Sequence, residues 1–193
     1  MTQFISLTSK LVPLLLANVD TDQIIPAQYV NAVGEQALAS ALFSRRKAED
    51  PDFVFNRPEM KGRSIMLAGP NFGCGSSREA AAWALKAGGI RALVGTSFNQ
   101  TFATNCAQNG MPTVRLDPVA FGQVVALLDK NPDIELTIDL RQGSVTVDGH
   151  ALTFPTGIDP FISDLMVRSI DELAYLLERR PLIAAFEAAH RDV

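Results

Sequence analysis

Short apolar runs alternate along this chain with polar turns, and glycine, proline or asparagine closes nearly every one. Ser6 to Leu16 reads as extended chain, followed by a polar turn segment from Asn18 to Pro26. Tyr29 to Phe43 fits a helix interrupted at Gly34. From Ser44 to Lys61 charges and prolines replace aliphatics, which predicts a loop long enough to be functional. Ser64-Ile65-Met66-Leu67-Ala68 then has the continuous apolar pattern of a buried strand, and Ala80 to Ala87 predicts a helix stopped by Gly88-Gly89. Ala92 to Val94 predicts a strand, Phe98 to Asn109 a helix closed by Gly110 and Pro112, and Thr113 to Leu116 a further strand. Asp117-Pro118 supplies an N-cap and an N1 proline for a helix running to Lys130.

After Pro132 the period changes to two. Glu135 to Leu140, Ser144 to Val147 and Ala151 to Phe154 alternate, with turns at Gln142-Gly143 and Asp148-Gly149, the signature of an antiparallel meander. Ser169 and Glu172 have the S-x-x-E spacing of a helix start, and Pro181 is expected to open a last helix from Leu182 to His190. The expected class is therefore α/β: a parallel central sheet from the βα units, an antiparallel second sheet from the meander, and outer helices.

The junction between the first central strand and its helix, Gly69-Pro70-Asn71-Phe72-Gly73-Cys74-Gly75-Ser76-Ser77-Arg78-Glu79, gathers the most chemistry. Ser76 and Glu79 match a capping box, which places the helix start at Ser76. Outward-pointing N–H groups in such a first turn suit a carboxylate or phosphate, and Arg78 can add a bidentate contact. A capping box alone contributes only about 1 kcal/mol and implies no ligand. Neither well-known glycine loop fits. A P-loop needs Lys and then Ser or Thr after its last glycine, and a dinucleotide fingerprint needs a glycine where Arg78 stands.

Composition narrows the function classes. In 193 residues a hydrophobic content of 47% and a net charge of −4 argue against disorder and against a nucleic-acid surface. The N-terminal part lacks the charged-then-apolar pattern of a signal peptide, Leu11 to Ala17 being a short apolar run broken by Pro13, and no stretch approaches the roughly 20 apolar residues of a membrane span. Cys74 and Cys106 do not suggest a disulfide framework, so a reducing cytoplasm is the expected location. Two cysteines and the distant His150 and His190 cannot supply a four-cysteine metal or cluster site, so no metal is expected on this chain.

Two further segments carry polar side chains in compact arrangements. Asn18-Val19-Asp20-Thr21-Asp22-Gln23-Ile24-Ile25-Pro26 has acidic spacing that invites a calcium loop, but Gln23 and Tyr29 stand where the EF-hand glycine and bidentate glutamate must be. Turn chemistry accounts for Asn18, Asp20 and Thr21, while Asp22 lacks such an explanation. Phe98-Asn99-Gln100-Thr101-Phe102-Ala103-Thr104-Asn105-Cys106 collects amides on an expected helix.

Together, in this order, the three motifs closely resemble the small subunits of 3-isopropylmalate dehydratases, members of the aconitase superfamily. The resemblance covers nearly the whole chain and implies one swivelling β/β/α domain over residues 1–193. It implies a hydro-lyase that interconverts isopropylmalates through isopropylmaleate in leucine biosynthesis, acting on a small dicarboxylate. It also implies a large partner subunit carrying a [4Fe–4S] cluster, whose iron serves as Lewis acid, with no cofactor on this chain, no nucleic acid and no membrane. Carried over by motif, Ser76 is the general base, Asp22 an active-site acid, and Ser77 and Arg78, with Gly75 in their loop, bind a substrate carboxylate. Two departures stand out: Ala80 replaces the histidine that usually follows Ser-Ser-Arg-Glu, and Leu42-Phe43-Ser44-Arg45-Arg46 lacks the Asp-Trp of bacterial members. The alternatives are a sister enzyme acting on citraconate, methylmalate or another 2-alkylmalate, and a non-catalytic paralogue that binds an anion or partner.

Overall fold

A computed structural model describes residues 2–190. Among the described residues seven strands form one sheet in the order β4-β3-β2-β1-β5-β6-β7. Its pivot is β1 (Ser6–Leu14), which belongs to two ladders in succession. Ser6 to Lys10 pairs antiparallel with β5 (Glu135–Asp139), and Leu11 to Leu14 pairs parallel with β2 (Ile65–Ala68). The parallel ladder continues through β3 (Ala92–Gly95) to β4 (Thr113–Arg115). The antiparallel one continues through β6 (Ser144–Val147) to β7 (Leu152–Pro155). Both ladders agree with the expected class; that a single strand serves both is visible only in three dimensions. Pro13 is tolerated in this strand because it lies beyond the last pair with β5, where β1 has a partner on one side only.

The helices are α1 (Thr21–Ile24), α2 (Glu35–Ala41), α3 (Ser44–Glu49), α4 (Glu79–Ala87), α5 (Gln100–Gln108), α6 (Pro118–Lys130), α7 (Pro160–Arg168) and α8 (Glu172–Ala189). Alternation along β1 and β2 sorts the core into two. Val12 and Met66 pack with Phe43, Ala81 and Leu85 on one side, while Leu11, Ile65 and Leu67 pack with Val94, Val124 and Leu136 on the other. That double burial explains why β2 and β3 are apolar throughout. Asp117 caps α6 as expected, accepting from the N–H groups of Val119 and Ala120.

Several local expectations are corrected. Residues 44–61 are no loop: α3 and two 3-10 turns occupy them, held by the rings of Phe43, Phe53 and Phe55 at centroid distances of 4.8 to 5.9 Å. Aromatic packing replaces the missing aliphatics. Ser169 does not start a helix; it ends α7 in a left-handed conformation (φ 59°), and Asp171 caps α8 instead. Pro181 lies inside a continuous α8. The carbonyl it leaves without a donor belongs to exposed Leu177, where water can serve it. No described helix is long and apolar enough to cross a membrane.

Arg63 ties the junction of the two ladders. Its guanidinium donates to the carbonyls of Leu11 (3.0 Å), Pro132 (2.7 Å) and Glu59 (2.9 Å), and pairs with Asp133 at 3.0 Å. Replacement by methionine leaves at least two inward carbonyls without donors, at about 1–3 kcal/mol each. Arg63→Met is expected to lose about 2–4 kcal/mol and to melt about 4–12 °C lower in a thermal scan. An unchanged melting temperature would show that the arginine is not a structural clamp.

Candidate active site

In a parallel ladder every strand delivers its following loop to the same edge, and that carboxyl edge is where open α/β sheets bind ligands. The segments that leave β1, β2 and β3 here are the three motifs singled out in the sequence. Main-chain hydrogen bonds knit them together. Asn18 N–H donates to the Pro70 carbonyl (2.9 Å), Gly73 N–H to Val19 (2.8 Å), and Thr21 N–H to Cys74 (3.0 Å). Phe72 N–H donates to Ser97 (3.3 Å), and Asn99 N–H donates back to Phe72 (3.0 Å). Side chains add two more links, Asn71 Nδ2 to Asn18 Oδ1 and Asn71 N–H to Ser97 Oγ, both at 2.8 Å.

Glycine gives the β2–α4 loop its course. Gly73 has φ +75°, and a Cβ there would stand 2.2 Å from Cγ of buried Phe102. Gly75 has φ +88° and passes over Asp20. This sharp path puts Gly75, Ser76 and Ser77 at the exposed tip, with Arg78 half-buried behind them. The amide groups of Gly75, Ser76 and Ser77 donate to no protein group among the described residues. They are open to an anion.

The helix start differs from the expected capping box. First in α4 is Glu79, its cap position is Arg78 in extended conformation, and no side chain caps it. Glu79 instead accepts from Asn109 Nδ2 (3.1 Å). Ser76 bonds to Thr21: its Oγ lies 3.0 Å from Thr21 Oγ1, which also donates to the Ser76 carbonyl at 3.0 Å. The serine is thus held by the first motif rather than spent on the helix end.

Asp20 nucleates α1 by accepting from Gln23 N–H at 2.7 Å, which the D-x-x-Q spacing could have signalled. Gln23 Oε1 is clamped by the Arg46 fork at 2.7 and 3.1 Å. Asp22 then points outward and accepts from Arg78 Nη1. The same nitrogen reaches the Ile25 carbonyl at 3.4 Å, so Nε and Nη2 of Arg78 have no protein acceptor among the described residues. One edge of the guanidinium fork remains for a carboxylate. Asp22, Gly75, Ser76, Ser77 and Arg78 therefore occupy one exposed surface. Thr21, set aside as turn chemistry, is the member that sequence reasoning missed.

Cys74 lies half-buried in the loop, and Cys106 is fully buried in α5, where burial pushes its thiol well above its usual pKa. Among the described residues no three His, Cys, Asp or Glu side chains come together as metal ligands, so the described residues do not fit an iron–sulfur cluster. Ala80 is buried beneath the loop in the apolar core. A cleft of about 790 Å³ flanks α5 near Thr104, Arg115 and Phe161, but it contains none of the candidate site residues. The convergent polar groups, not that volume, define the candidate site.

Asp22 is held below the usual carboxylate range, chiefly by the hydrogen bond from Arg78, with the charges of Arg78 and Arg45 assisting and desolvation opposing. A depressed pKa means the pair contributes fully above the ordinary aspartate pKa and is lost as pH falls through the lowered value. In an NMR titration the Asp22 carboxyl carbon is expected to have a midpoint below that of ordinary aspartates, and Arg78→Met should return it upward. Equal midpoints in both chains would show that the pair does not persist in solution.

Residues 1–118 match the aconitase C-terminal domain family. The 3-isopropylmalate dehydratase small subunit of Roseiflexus castenholzii is 43% identical over 190 residues, covering 95% of this chain and 92% of that protein. The one from Francisella philomiragia is 39% identical over 193 residues, covering 99% and 100%. A crystal structure of 3-isopropylmalate dehydratase from Methanocaldococcus jannaschii superposes with a TM-score of 0.65 at 24% identity, over 94% of this chain and 99% of that one, which supports the fold. With the three motifs meeting at one sheet edge and this likeness running along nearly the whole length, the chain belongs to the 3-isopropylmalate dehydratase small subunits, within the aconitase C-terminal domain family.

Proposed function

We propose that this chain is the small subunit of a hydro-lyase that interconverts 2- and 3-isopropylmalate through isopropylmaleate, in leucine biosynthesis. The observation that carries it is the meeting of Ser76, Ser77, Arg78 and Asp22 on one surface in a chain that matches such a subunit over 92% of that protein's length. The free edge of Arg78, the Ser77 hydroxyl and the open loop amides bind a substrate carboxylate. Ser76, as alkoxide, takes the proton from the carbon next to that carboxylate. The electron pair of that C–H bond forms the double bond, and hydroxide leaves from the adjacent carbon toward the partner's side of the site. Rehydration reverses these steps with the addition shifted by one carbon. Asp22 fixes the orientation of Arg78.

A serine is about as weak an acid as water, whose pKa is about 15.7. The α4 dipole helps little, because its effect fades within the first turn and Ser76 precedes α4 by three positions. Stabilisation of the alkoxide falls to hydrogen bonds and to Arg78. The [4Fe–4S] cluster is assigned to a larger partner subunit, and this chain alone is inert. The altered sequence around Leu42 to Arg46 now forms the start of α3, whose Arg46 grips Gln23 beside Asp22. It borders the region expected to receive the substrate's alkyl group.

The test mixes the chain with its large subunit after anaerobic cluster reconstitution and follows the conjugated double bond of isopropylmaleate and citraconate in parallel. Faster turnover of isopropylmaleate is expected; preference for citraconate would transfer the same machinery to a sister substrate, and no turnover in a formed complex would overturn the enzyme assignment. Ser76→Ala should lower kcat by about 10²- to 10⁴-fold while the subunits still assemble. Turnover unchanged by Ser76→Ala would remove the serine from the reaction.

A further inference from the structure

We propose that Thr21 is a positioning residue for Ser76, a hydrogen-bond donor that turns onto the serine oxygen when it becomes an alkoxide; this rests on Ser76 being the base. Thr21 is only 1% exposed, and its N–H is committed to the Cys74 carbonyl. Its β-branched side chain is stiff at χ1, so the hydroxyl oxygen is fixed while the hydroxyl proton can rotate. That oxygen lies 3.0 Å from two acceptors, the Ser76 carbonyl and Ser76 Oγ.

Counting protons assigns the directions. The Thr21 hydroxyl has one proton, and a carbonyl can only accept. While Ser76 is protonated, Thr21 donates to the Ser76 carbonyl and Ser76 Oγ–H donates to Thr21 Oγ1. An alkoxide can only accept, so when Ser76 loses its proton the Thr21 proton rotates from the carbonyl to Oγ. The carbonyl is not orphaned, because Arg78 N–H also donates to it at 2.9 Å. The second donor is what frees Thr21 to move. On taking the substrate proton, Ser76 again becomes a donor and Thr21 returns to the carbonyl; on rehydration Ser76 gives that proton to the alkene carbon and is an alkoxide once more, so over the cycle no proton is gained or lost.

The ionisable groups near this pair are Asp20 and Asp22 on either side of Thr21, Cys74, Arg78 and Glu79 in the loop and the start of α4, and Arg45 and Arg46 on α3. Thr21→Val removes a hydroxyl at nearly constant volume and changes none of those charges, so a displaced pH profile reports the hydrogen bond itself.

The experiment measures kcat, KM and the pH profile of the reconstituted two-subunit enzyme carrying Thr21→Val, Thr21→Ser, Ser76→Ala or Thr21→Val with Ser76→Ala. Loss of one preorganised donor to an oxyanion lowers kcat by about 10²- to 10³-fold. Thr21→Val is expected to show that fall with KM within about twofold of wild type and with its optimum displaced to higher pH. Thr21→Ser should restore both, and Thr21→Val should add no loss to Ser76→Ala. If the valine chain fails to assemble, Thr21→Ala takes its place with the same expectations. A kcat for Thr21→Val near that of wild type, beside an inactive Ser76→Ala, overturns this proposal alone. A fall that Thr21→Ser does not restore, with the pH optimum unmoved, overturns it too, as a packing effect. Normal turnover of Ser76→Ala overturns the assignment of the base on which it rests.

Discussion

Backbone N–H and C=O groups leaving the edge of a parallel ladder need partners, and three loops of this chain supply them to one another. The bonds from Gly73 to Val19, from Thr21 to Cys74 and from Asn99 to Phe72 are ordinary in length. Their position is what matters, since they join the segments after β1, β2 and β3 before any catalytic side chain is considered. A glycine at 73 is required because the loop turns over the Phe102 ring with φ +75° and no room for a Cβ. The exposed serines and the arginine behind them are consequences of that backbone path.

Charge is then placed economically on this frame. Asp22 is left at the surface, while Asp20, two positions before it, starts α1 and Gln23, the next residue, is held by Arg46. A single nitrogen of Arg78 serves both Asp22 and the Ile25 carbonyl, so its other nitrogens have no protein acceptor among the described residues. The pair is half-exposed, so it orients the guanidinium more than it stabilises the fold.

Much of this was legible in the sequence because apolar periodicity and turn residues report local backbone states. β2, β3, the meander and the capped α6 follow from such patterns. What stayed hidden depends on contacts distant in the chain. The S-x-x-E at Ser76 has the spacing of a capping box, yet its hydroxyl lies against Thr21, 55 positions away, and the tertiary partner prevails over the local one. Ser169 shows the same spacing and ends a helix instead, because Asp171 two positions later makes the stronger start. Residues 44–61 looked like loop because their packing is aromatic and gathers around a left-handed Phe43, which aliphatic periodicity does not register. As for the site, the residue types that could bind a carboxylate were readable from the motifs, whereas the buried threonine beneath them resembled any turn residue.

The separation between Thr21 and Ser76 also governs when the site comes into being. Local hydrogen bonds can form early in folding, but a contact across 55 residues must await closure of a long loop, and this one also awaits the pairing of β1 with β2. A chain in which β1 and β2 are still unpaired therefore lacks the Thr21–Ser76 contact. Whatever depends on the placement of Ser76 by Thr21 meets a chain in which β1 and β2 are already paired.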